Sequence, residues 1–183
     1  SHPSAALTLP RLGLALLCFL LLGSALFAQS VREDDDFAYI VELYYSGDSY
    51  LDEVAAELAA FENRYPDSSY GQYISYLRGN IALKQGEFAL SAQIYAELLR
   101  QELHPDILAD IQLNHAIANY YLGDHPLSLR LLDDLERTAV HPWYQYQVNV
   151  WRGRTKALQE LWFSAAEEYQ KALAYDPSEV SFD

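Results

Sequence analysis

The sequence contains no methionine and a single cysteine, Cys18. One cysteine excludes an intrachain disulfide and every cysteine-rich metal site. Positive charge is scarce too: 12 Lys and Arg stand against 26 Asp and Glu, giving a net charge of −14 and a pI of about 4.6. The few cations are scattered, so no basic patch faces a phosphate backbone, and nucleic acid is not an expected partner. No stretch alternates apolar and polar residues with period two, which predicts no strands. There is no His-Glu-x-x-His, no phosphate-cradling glycine loop and no Gly-x-Ser-x-Gly. No metal, cofactor or catalytic residue is therefore expected. His115 reads as a hydrogen-bonded core histidine, and the acidic run Glu33 to Asp36 as a solvated tail near a helix N-terminus. What the chain has is apolar residues, at 51%, enough to build a continuous core.

The absence of a starting methionine leads us to expect a chain trimmed at its start. The first residues read as an address. Arg11 precedes the uncharged run Leu12 to Phe27, then come Ala28, Gln29 and Ser30, then acids. A positive start, an apolar core too short to span a bilayer comfortably, and small residues before an acidic stretch predict a secretory signal peptide over 1–28. Cleavage would follow Ala28 or Ala25; a retained signal anchor is the alternative. Cys18 is poorly placed for lipid attachment, because Leu17 precedes it and nine more residues of the apolar run follow. Cleavage after Ala28 would remove Arg11 and no acid, leaving 11 − 26 = −15.

Past an expected acidic linker at 29–36, the chain repeats itself at an offset of 37. Gly79, Ala116 and Gly153 coincide, as do Ser91, Ser128 and Ala165, all small. Gly86 and Gly123 coincide, with Glu160 third. Tyr95, Leu132 and Tyr169 coincide, and His104-Pro105 recurs as His141-Pro142. A looser copy carries Leu51, Val54, Leu58 and Phe61. Each unit reads as two helices: in one, Ile74, Leu77 and Ile81 form an apolar stripe, Gly86 stops the helix in the left-handed region, and Phe88 to Leu99 form the second stripe. Pro105 is expected to end that second helix, and Asp67, Ser68, Asp106 and Asp124 to be N-caps. Small residues at fixed places allow two helices to approach closely, with Phe88, Trp162, Tyr95 and Tyr169 filling the space between successive pairs. The expected units are 37–66, 67–105, 106–142 and 143–177, followed by a tail at 178–183 that reads as truncated.

The run from Trp151 to Pro177, WRGRTKALQELWFSAAEEYQKALAYDP, resembles the tetratricopeptide repeat. That family's small, aromatic, Ala, aromatic, Ala and Pro positions fall on Gly153, Trp162, Ala165, Tyr169, Ala172 and Pro177. The middle units match less closely and run longer than the family's usual period. The stretch AAFENRYPDSSYGQYISYLRGNIAL is similar to bacterial cell-envelope members, among them the BAM-assembly lipoprotein and the Tol–Pal coordinator. The resemblance implies an all-α, right-handed superhelical solenoid of about four antiparallel helix pairs. It also implies a concave groove lined by the first helix of each pair.

Carried onto this sequence, the groove positions are Tyr73, Tyr76, Asn80, Asn114, Ile117, Tyr121, Trp151 and Arg154. Rings and amides suit a protein or peptide segment. Two Asn positions of the family's dicarboxylate clamp fall on Asn80 and Asn114. Its cation positions fall on Tyr76, Gln147 and Trp151, so a neutral, apolar or basic segment is expected instead. The expected function is an exported scaffold or adaptor, not an enzyme, in the periplasm of a Gram-negative bacterium or anchored facing it. A membrane contact is expected only through an uncleaved N-terminal segment. Two other readings remain: a structural module of a longer polypeptide that associates through its C-terminal face, and, remotely, a glycan-active helical enzyme.

Overall fold

The computed structural model describes residues 30–139 and 141–175. The expected signal segment, Cys18, Val140 and the tail lie outside them. Among the described residues there is no strand, and the chain is all-helical. Helices α1 (30–45), α2 (Leu51–Arg64), α3 (Gly71–Lys84), α4 (Phe88–Leu98), α5 (Pro105–Leu122), α6 (His125–Thr138), α7 (Pro142–Leu158) and α8 (Trp162–Ala172) follow one another. They fall into two compact units, the first ending at Ser68 and the second beginning at Ser69.

In the first unit, Phe37, Ile40 and Tyr44 of α1 are buried, as are Leu51, Val54, Leu58 and Phe61 of α2. The Phe37 and Phe61 rings lie 5.6 Å apart. The segment read as an acidic linker is helical from Ser30 onward, and two of its acids hold the end of α2. Asp36 accepts from Tyr65 Oη at 2.8 Å and from the Arg64 guanidinium, and Glu33 accepts from Ser68 Oγ at 2.6 Å. The Tyr65 hydroxyl, followed by Arg64, holds the Asp36 carboxyl below its usual range against the cost of burial. So this acidic run is not merely a solvated tail: a helical period brings Glu33 and Asp36 to one side, three residues apart.

In the second unit α3 packs on α4, α5 on α6 and α7 on α8. Each second helix also packs on the next first helix, α4 on α5 and α6 on α7, and the first helices touch in the order α3, α5, α7. The offset of 37 is visible as repeated bonds. Ser91 Oγ donates to the Gly79 carbonyl at 3.0 Å, and Ser128 Oγ to the Ala116 carbonyl at 2.8 Å. A small residue at each end of that bond lets the helix backbones come together, and the hydroxyl has a partner in the dry interface it creates.

The turns repeat in the same way. Gly86, Gly123 and Glu160 sit at φ of 79°, 80° and 60°. Beyond them, Glu87 N donates to the Ala82 carbonyl, Asp124 N to Asn119 and Leu161 N to Lys156, at 2.8, 3.0 and 3.0 Å. These are the long bonds of a left-handed helix stop. A side chain with a Cβ is strained there, and Glu160 carries one. Glu160→Gly should therefore stabilise the chain by roughly 1 kcal/mol, and Gly123→Ala should destabilise it by a similar amount. Urea unfolding midpoints with unchanged slopes would check both signs.

Three expectations about helix ends need correction. Pro105 does not end a helix; like Pro142 it occupies the first turn of the next one, where its missing N–H costs nothing. Asp106 therefore lies inside α5, whose N-cap is His104; Asp67 and Ser68 precede α3, whose N-cap is Tyr70. Asp124 does cap α6, accepting from Leu127 N at 3.1 Å. Trp162 is not a filler between pairs either; it is 64% exposed.

Candidate functional site

The eight candidate residues lie on α3, α5 and α7, the three first helices of the second unit. Six of them are buried or half-buried, and Tyr121 and Arg154 are exposed. Tyr76 Oη donates to Asp110 Oδ2 at 2.8 Å, and Tyr144 Oη donates to Asp110 Oδ1 at 2.9 Å. One carboxylate on α5 thus joins α3 and α7. Burial, and then the adjacent Asp110 charge, push the Tyr144 hydroxyl far above the usual phenol range. It stays a donor at any ordinary pH.

A second joint lies on Asn80. Its Oδ1 accepts from Tyr95 Oη at 2.5 Å and from Asn114 Nδ2 at 3.0 Å. Asn80 is 5% exposed, so the amide is a bolt between α3, α4 and α5. Ile117 is partly buried against the core that includes Leu113, Leu132 and Trp151. Tyr73 is partly buried, with its ring 5.8 Å from that of His104.

Tyr121, Trp151 and Arg154 form a different kind of surface. Tyr121 is 51% exposed and stacks flat on Phe88, centroids 4.4 Å apart and 10° between planes. Tyr120 and Tyr121 meet Trp151 edge-on at 5.2 and 6.0 Å. The Arg154 guanidinium lies over the buried Trp151 ring, 4.4 Å from its centroid. A cation so placed is oriented by the ring quadrupole while one side remains open. The exposed residues here are Tyr121 and Arg154.

Sequence reasoning missed Asp110 as a joint and Phe88 as the floor beneath Tyr121. The signal was available: Tyr76, Asp110 and Tyr144 are spaced by 34, as are Asn80 and Asn114. With a repeat of 37, that difference is about one helical turn, the stagger at which neighbouring first helices meet.

His115 is buried, and desolvation holds its imidazole below the usual pKa. Its Nδ1 has no hydrogen-bond partner among the described residues. Among the described residues no group of three His, Cys, Asp or Glu is placed to hold a metal ion. No described helix is long and apolar enough to cross a membrane. A shallow pocket lined by Ser75, Leu90, Ile94 and Glu97 contains none of the candidate residues.

No protein-family model matches the sequence, and neither does any curated protein.

Proposed function

We propose that the chain is an exported scaffold or adaptor of the tetratricopeptide kind, its helix pairs antiparallel and stacked into a right-handed solenoid. It takes a protein or peptide segment across the face formed by α3, α5 and α7. The observation that carries this reading is the aromatic shelf of Phe88, Tyr121 and Trp151 with Arg154 laid over the indole. Its floor is stacked and fixed, while its edge is half-exposed. A rigid aromatic shelf offers area at low entropic cost, the usual make-up of a peptide anchor. A chain with net charge −14 favours neutral, apolar or basic segments over acidic ones. Tyr76, Asn80 and Asn114 contribute by holding the helices in register. The composition of the first residues supports export, and the periplasm is the compartment the reading assigns.

The test is binding of the naturally processed chain to an array of peptides of varied charge, repeated with Tyr121→Ala/Arg154→Ala. Both residues are exposed, so the double variant should melt like the parent. We expect neutral, apolar and basic peptides to bind and the double variant to lose at least tenfold in affinity. Equal binding by the variant, or a preference for acidic peptides, would remove the shelf from the function.

A further inference from the structure

The internal repeat places one histidine where its counterparts are arginines. At the offset of 37, Arg78 of α3, His115 of α5 and Arg152 of α7 are equivalent. The Arg152 side chain is 12% exposed and is held by Asp133 and Glu136 of α6, the second helix before it. One repeat earlier those acid positions are Ala96 and Leu99 of α4. The α4–α5 joint thus lacks both the arginine and its two acids. What stands there is an imidazole 7% exposed, its ring 6.4 Å from that of the fully buried Tyr95. A neutral imidazole tolerates such a seat. An imidazolium does not, because protonation adds a charge and makes both nitrogens donors, and Nδ1 has nothing there to accept its proton.

We propose that His115 is an acid-sensitive latch: in mildly acid solution its protonation parts α4 from α5, while the α6–α7 joint, bolted by Arg152, stays closed. The imidazolium gains water by leaving its seat beside Tyr95. The Tyr95 hydroxyl donates to Asn80 Oδ1, which also accepts from Asn114. Parting α4 from α5 therefore releases the amide that registers α3 with α5. Carboxylates on and around α5 are engaged elsewhere. Glu97 of α4 pairs with Arg100; Asp134 of α6 pairs with Arg137, and Asp133 and Glu136 with Arg152 of α7. Asp124 caps α6; on α5 itself, Asp106 lies by His104, and Asp110 holds the Tyr76 and Tyr144 hydroxyls. The cations of the neighbouring helices, Arg78 and Lys84 on α3, Arg130 on α6 and Arg154 on α7, could only oppose a further positive charge. Burial accordingly lowers the His115 pKa from 6.5, and no carboxylate offsets it. The unfolded chain takes the proton first. Stability is complete above pH 6.5 and is lost as pH falls from there toward the folded value. The latch is independent of the shelf on α5 and α7.

Urea unfolding of the naturally processed chain at about pH 7.5 and 5.5, beside His115→Gln, tests it. One histidine with an unfolded pKa of 6.5 can lower the folding equilibrium constant by at most about tenfold over that interval. We expect the parent to lose several-fold more than His115→Gln; the other histidines are present in both and cancel. Leu99→Glu returns one of the two acids that α6 supplies to Arg152, and should remove or reverse the excess loss. Two measurements on the parent need no variant. NMR titration should find the His115 ring of the folded chain below 6.5. Hydrogen exchange, corrected for intrinsic rates, should show the amides of α4 losing protection in acid ahead of those of α6. A His115 pKa at or above 6.5, equal acid losses in parent and His115→Gln, or protection lost alike in α4 and α6 overturns the proposal.

Discussion

Gly79→Ala is expected to destabilise the chain by about 2–4 kcal/mol, while the same change at Gly153 costs less than about 1 kcal/mol. Geometrically the two sites are nearly identical. A Cβ on Gly79 would stand 2.5 Å from Tyr95 Cε1, and one on Gly153 would stand 2.6 Å from Tyr169 Cε1. What differs is whether the ring can move. Tyr95 is fully buried, and its hydroxyl is bound to the buried Asn80 amide. Displacing it overpacks the core and also breaks that bond, which leaves buried polar groups short of a partner. Tyr169 is 38% exposed on the open side of α8 and can swing outward. There the cost of the shift is set against the roughly 1 kcal/mol gained on replacing a mid-helix glycine by alanine. Chemical denaturation of both variants decides the matter. Equal losses at the two sites would show that Tyr169 is held as firmly as Tyr95.

This pair also shows what the sequence made legible. The all-helical class, the offset of 37 and the small residues at Gly79, Ala116 and Gly153 could be read because each demands a residue type at a fixed place. A left-handed stop favours glycine, and a close helix approach excludes bulk. The proline positions misled, because a proline forbids helix before it and favours helix after it. Sequence does not say which role governs, and the loop from Leu99 to His104 settles it only in space. Of the candidate site, the residues were brought to the expected helices, but their division of labour was hidden. Asn80 and Tyr76 look alike as surface candidates on a helical wheel. Only the one-turn stagger between α3 and α5 brings the Tyr76 hydroxyl to Asp110 and the Asn80 carbonyl to the Asn114 amide.

The buried ion pair between α7 and α8 gives the other large effect. Glu168 has a side chain 6% exposed and accepts from Lys156 Nζ at 2.7 Å. Burial alone would raise its pKa, but the hydrogen bonds and charges of Lys156 and Lys171 outweigh burial and hold it below the usual value of 4.5. In the parent chain this carboxylate therefore contributes stability that is present above about pH 4.5. That contribution is lost as pH falls through the lower folded value. Lys156→Met keeps the stem's length and removes the charge. Lys171, more than half exposed and 3.3 Å away, is the remaining partner, and water screens it. The balance then tips to burial, and the Glu168 pKa in the folded chain moves above its unfolded value. A loss of about 3 kcal/mol is expected at pH 7, because a buried carboxylate has lost its principal partner. The sign of the pH dependence follows. The deficit of the variant against the parent should shrink as pH falls from 7 toward about 5, since the folded variant can then hold its carboxyl protonated. Lys156→Met/Glu168→Leu should recover most of the loss, because no charge is left buried and the volume is kept. Urea unfolding of parent, single and double variants at pH 7.5 and pH 5 measures all of this. A deficit of equal size at both pH values would mean that the Lys156 stem, not its charge, holds α8 against α7.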